Sequence, residues 1–145
     1  MPAAVALAII AGLAGSVQVA VMGRFGGRIG VLEALTFATA VQLCLSLAIL
    51  LVARLGFGGL SGAVRAPAWM WLGGLMGLTV VFSITFAQPR IGATATIGIL
   101  IAGQLVMGAV IDRYGLFGVE RIGISLPRGI GIVLLGIGAA LSLVR

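Results

Sequence analysis

The chain has 145 residues, 61% of them hydrophobic and 8% charged, with a mean hydropathy of +1.31 and a formal net charge of +6. A soluble domain is about 25% charged, and no soluble fold covers this much apolar surface with so few charges. The expected class is an all-α integral membrane protein, one transmembrane domain over residues 1–145 with room for roughly four to six spans.

All nine basic residues are arginine, for which a GC-rich coding bias is the plainest account. They stand singly at the ends of apolar runs, not in a patch with interleaved aromatics, so nucleic acid is not an expected partner. Arginine at a span end snorkels to headgroups and sets orientation. There is no histidine, and Cys44 is alone inside an apolar run. No metal site, disulfide, cofactor or Cys/His nucleophile pair is expected.

Span 1 is predicted over residues 3–22. No Lys or Arg precedes it and it reaches about twenty residues, so it reads as a retained span and not as a signal peptide. Small residues recur every fourth position at Ala4, Ala8, Gly12, Ser16 and Ala20. Such a ridge lets another backbone approach closely. Gln18 lies on a different face, where it either bridges two helices or faces a pathway. Residues 23–30, GRFGGRIG, read as a Gly-rich interfacial turn carrying Arg24 and Arg28. A phosphate loop is not indicated, because no strand precedes and no GK[ST] follows.

Span 2 is predicted over residues 31–53. Thr36, Thr39, Gln42 and Ser46 share one stripe by their spacing. A polar stripe on a spanning helix points into the bundle, either as interhelical glue or as pathway lining. Glu33, just inside the start, is expected to pair with Arg28 or Arg24, with proton coupling as its alternative role. Residues 54–68 read as a long loop. Gly56, Gly58, Gly59 and Gly62 argue against a rigid helix, and Leu55, Phe57 and Leu60 are placed along the interface.

Span 3 is predicted over residues 69–87, opened by Trp69 and Trp71 at a headgroup belt. Gly73 and Gly77 form a GxxxG packing pair. Thr79 and Ser83 face one way, being four apart. Gln88-Pro89-Arg90 is expected to turn the chain into span 4, residues 91–111, which carries no charge. At its centre Gln104 is flanked by Gly103 and Gly108. A carboxamide in lipid needs a hydrogen-bonding partner, so this side is expected to face helices or a wet cavity. Residues 112–128 hold Asp112 and Glu120 beside Arg113, Arg121 and Arg128, expected as surface ion pairs. Span 5 is predicted over residues 128–144, or starting earlier near Ile124 with Pro127 early in the helix. Its glycines mark it as another close-packing helix.

With five spans, one side carries five arginines and the other four. The positive-inside bias is then almost nothing. Such a chain is free to insert both ways, and two opposed copies form an inverted-repeat pair.

Four segments carry a family resemblance. They are Gln18 in its Gly-rich helix; PAWMWLGGLMG at 67–77; AQPRIGATA at 87–95 with AGQLVMGAVIDRYGLFG at 102–118; and PRGIGIVLLGIGAAL at 127–141. Together they resemble the YdcZ family of small proteins in the drug/metabolite transporter superfamily. The resemblance implies a half-size, five-span member forming one half of an inverted-repeat fold in the bacterial inner membrane. It implies alternating-access export of a small metabolite or drug by an antiparallel, dual-topology homodimer or by a heterodimer with a related chain. Gln18 and Gln104 match positions where that pattern has glutamine. Where the pattern commonly has an Asn one turn after the first Gln, this chain has Met22, so a paired-amide site on helix 1 does not carry over. Small multidrug exporters of that superfamily use a first-helix acid for proton exchange, and span 1 has none.

The candidate substrate-binding set is Gln18, Gln42, Thr79, Ser83 and Gln104, with Glu33 for coupling. Gly12, Ser16, Gly73, Gly77 and Gly108 are candidates for helix packing. No carboxylate sits at a span centre, which favours a neutral or anionic solute. The competing reading is a non-transporting subunit that packs with or regulates another membrane protein. An enzyme is not expected, for want of any nucleophile–base pair.

Overall fold

The computed structural model describes residues 2–54 and 58–144. Its elements are α1 (Pro2–Ile29), α2 (Val31–Arg54), α3 (Leu60–Arg65), a 3-10 turn (Ala68–Trp71), α4 (Leu72–Ile91), α5 (Ala93–Tyr114), a second 3-10 turn (Leu116–Gly118) and α6 (Leu126–Leu141). The described residues are all-α. Four stretches are long and apolar enough to cross a membrane: Pro2–Ile29, Val31–Ala53, Ala68–Ile91 and Ala93–Tyr114. Hydrocarbon offers no hydrogen bonds to a backbone, so each crossing must satisfy its own. The 16-residue α6 is about 24 Å long, short of a hydrocarbon core of about 30 Å. It starts before residue 128, with Pro127 in the first turn, where a missing N–H costs nothing.

Two expected breaks are not breaks. Residues 23–29 are not a loop but the last turns of α1, and the chain bends only at Gly30, φ 106°. The glycines there serve packing: Gly23 and Gly26 are buried. Likewise Gln88-Pro89-Arg90 stays helical, and α4 runs through Pro89 to Ile91. The bend comes at Gly92, with φ 84° and ψ 163°. Proline this near a helix end removes a single ladder bond, which is too little to end the helix earlier. In the stretch read as a loop, residues 60–65 form α3, tied down where the Trp71 indole N–H donates to the Ala63 carbonyl (3.3 Å). Leu55, Gly56 and Phe57 lie outside the described residues.

The chain packs as two units, one of residues Met1–Ala20 with Ala87–Arg145 and one of Val21–Phe86. In the Val21–Phe86 unit, Met22, Ala34, Leu35, Ile84 and Thr85 are buried. Phe25 of α1 meets Phe37 of α2 edge to face at 5.7 Å. The closest approach is between α1 and α4: a Cβ placed on Gly26 would lie 2.5 Å from Thr85 Cγ2. Thr85 has no room to yield, being fully buried with its hydroxyl donating to the Val81 carbonyl at 2.6 Å.

In the other unit, Val19, Ala95, Thr96, Ala109 and Ala139 are buried. There α6 lies against α5, and a Cβ on Gly98 would stand 3.3 Å from the Ala139 backbone. The connection between α5 and α6 folds back on α5. Gly115 closes α5 in the left-handed conformation at φ 64°, and the Ile122 N–H donates to the Asp112 carbonyl at 2.9 Å.

Gly26→Ala should therefore lower the stability of the purified protein by roughly 1–3 kcal/mol, the range for overpacking a filled core. Denaturant titration in detergent, followed by circular dichroism, measures it. An unchanged midpoint would mean that α1 and α4 do not close on this glycine.

Candidate functional site

With the exception of Thr94, exposed in the first turn of α5, serine and threonine inside a span are satisfied by the helix that carries them. Each donates to a carbonyl one turn back, at distances of 2.6–3.0 Å: Ser16 to Gly12, Thr36 to Leu32, Thr39 to Leu35, Ser46 to Leu43, Thr79 to Leu75, Ser83 to Thr79, Thr85 to Val81, Thr96 to Gly92 and Ser142 to Ala139. This back-bonding is the usual refuge of a hydroxyl on a helix. Thr79 and Ser83 are thus linked through their own helix, and both remain exposed.

A carboxamide has two donors and one acceptor group, and reaches past its own backbone. Gln18 is half-buried, while Gln42 and Gln104 are exposed. Among the described residues none of the three has a hydrogen-bond partner. Gln18 and Gln104 belong to one packing unit, and Gln42, Thr79 and Ser83 to the other. The small-residue ridges follow the same division of labour. Gly12, Gly73, Gly77, Gly103 and Gly108 have no neighbouring atom where a Cβ would sit. Among the described residues, then, those glycines are not the close contacts. Gly26 and Gly98 are.

The acidic groups sit differently from expectation. Glu33 makes no ion pair with Arg24 or Arg28, all of them described residues. Its carboxylate instead folds over Gly30, in the space a side chain there would take. The first turn of a helix favours an anion, because its free N–H groups point that way. The pair that does form is Arg128 with Asp112, joining the start of α6 to the end of α5. Both side chains are partly buried, at 31% and 21% exposed, so this is not the fully solvated pair expected. No cluster of potential metal ligands occurs among the described residues.

Sequence reasoning missed Gly26 with Thr85, the Asp112–Arg128 link, and the one-residue bends at Gly30 and Gly92. A glycine following Arg-Ile, where a charge marks a span end, was the available signal for the bends.

These features define a multi-pass helical protein of the membrane, with hydroxyls closed off and amides left open. The chain matches, over residues 3–141, a family described as "Putative inner membrane exporter, YdcZ", and it belongs to that family. It is 36% identical over 84 residues to the inner membrane protein YdcZ of Escherichia coli strain K12, covering 58% of this chain and 54% of that protein. The alignment thus spans about half the length of that relative. No solved structure matches the chain. It is a multi-pass inner-membrane protein of a family described as exporting, which is transport and not enzyme chemistry.

Since its hydroxyl already serves its own helix, Ser83→Ala should shift stability by less than about 0.5 kcal/mol, as for a substitution that breaks no contact between helices. Thermal unfolding in detergent checks this. A large loss would assign Ser83 to a contact with another chain.

Proposed function

We propose that this chain is one half of an exporter of a small neutral or anionic solute, working as an antiparallel pair of copies by alternating access. The observation that carries the proposal is the set of three span amides, Gln18, Gln42 and Gln104, that have no hydrogen-bond partner among the described residues. An unpaired polar group in hydrocarbon costs several kcal/mol, of order 2–7 by transfer data. A second chain, a polar solute, or water in a cavity must therefore meet them. The absence of a mid-span acid speaks against a cationic solute. α6 is the fifth crossing in this proposal, and its shortness is met by local thinning or by the partner helix. The near-even arginine balance permits both orientations, and two opposed copies supply the inverted relation that larger transporters encode in one chain.

Two experiments test it. Mass spectrometry of the medium, from cells expressing wild-type or Gln104→Leu at equal membrane abundance, should show at least one solute whose export falls tenfold or more. Equal export with lowered thermal stability would favour the non-transporting subunit. Impermeant thiol labelling at both ends, in a Cys44→Ser background, should reach either terminus from both sides of the membrane. Labelling from one side alone would overturn the antiparallel homodimer.

A further inference from the structure

The tripeptide Arg-Ile-Gly occurs three times, at 28–30, 90–92 and 121–123. The first two are 62 residues apart, and they share a structure as well as a sequence. Each ends one long helix and is followed at once by another. In each, the glycine is the whole of the bend, with φ of 106° at Gly30 and 84° at Gly92. The hydrogen-bond ladder closes up to it and resumes from it in the same way. Gly30 donates to the Gly26 carbonyl and accepts from Ala34, both at 3.0 Å, while Gly92 donates to Gln88 at 2.9 Å and accepts from Thr96 at 3.1 Å. Burial repeats at the same offset. Met22 and Ile84 are buried, as are Gly23 and Thr85, and Ala34 and Thr96, while Gly26, Leu35 and Ala95 are buried where Gln88, Ile97 and Glu33 are not. The third copy is an internal control. Gly123 lies in a non-helical stretch and lacks the positive φ.

We infer that α1–α2 and α4–α5 are two copies of one helix-pair module, and that Gly30 and Gly92 are their equivalent hinges, on which the alternating access proposed above turns. The inference rests on that proposal for its function, though not for its geometry. A hinge is a short segment at an element end that absorbs a change of φ and ψ. Here it is one residue between two rigid rods. At Gly92 the torsions fall in the region open essentially to glycine alone. No atom lies within 4 Å of where its Cβ would be, so torsion and not space demands the glycine. Gly30 is similar, for what stands in its side-chain space is the mobile end of Glu33. Glycine crosses φ space at little cost, so each pair can swing without breaking a ladder bond. On the five-span topology both bends fall at one membrane face. The repeat is then parallel and not inverted, and the inverted half must come from a second chain.

The test measures spin-label distances across each bend, in the full-length protein reconstituted with a Cys44→Ser background and diluted with unlabelled chain. Labels replace the exposed Val21 and Leu45 for Gly30, and the exposed Leu78 and Val106 for Gly92. Each wild-type pair should give two resolved distance populations. Gly30→Ala and Gly92→Ala should each collapse their own pair to one population, and Gly123→Ala should alter neither. A single narrow wild-type population, which needs no variant to fold, would overturn the hinge. So would an equal effect of Gly123→Ala. The distances need no substrate, so their failure leaves Gln104-dependent export untouched, and loss of that export leaves the distances standing.

Discussion

Everything in this chain answers to one constraint: hydrocarbon supplies no hydrogen bonds. The backbone satisfies itself as helix wherever it crosses. The same constraint suits the one-residue bends at Gly30 and Gly92, because each additional non-helical residue leaves another donor and acceptor to be satisfied near the membrane. Only glycine makes so short a bend, since its torsions at Gly92 suit no side chain. Hydroxyls meet the constraint by returning a bond to their own helix. Carboxamides are longer and carry more donors, and Gln18, Gln42 and Gln104 have no hydrogen-bond partner among the described residues.

Packing follows from the small scale of the contacts. Without a hydrophobic force between helices, association in lipid depends on close van der Waals contact. Two contacts among the described residues place a glycine against a small buried partner, Gly26 on Thr85 and Gly98 on Ala139. In the first case the threonine's back-bonded hydroxyl fixes its methyl group against the glycine. The Asp112–Arg128 link is of another kind. It lies at the ends of α5 and α6, partly buried, where a charge pair keeps access to water and avoids most of the desolvation penalty. It holds the short α6 to α5 without placing a charge in the span.

Family membership and these physical features converge on transport from different directions. The family is described by export, and among the described residues the span amides Gln18, Gln42 and Gln104 are without hydrogen-bond partners. Among the described residues, Gly12, Gly73, Gly77 and Gly108 have open space where a side chain would stand.

The sequence by itself determined the all-α membrane class of fold, the absence of charge from the span centres, and the family. These are properties of composition and hydropathy, which act residue by residue and need no knowledge of neighbours. It misplaced the bends, because Gly-rich and Pro-containing segments read as loops unless their packing is known: Gly26 is packed against Thr85 of α4, and Pro89 is helical since it sits within the last turn. It named the amides and hydroxyls together as one candidate site. Only the tertiary structure separated them, because whether a polar group is satisfied depends on geometry within reach of it. The same holds for Glu33, which sequence proximity assigned to arginines and the structure gave to a glycine, since the turn of the chain at Gly30 decides where that carboxylate lies.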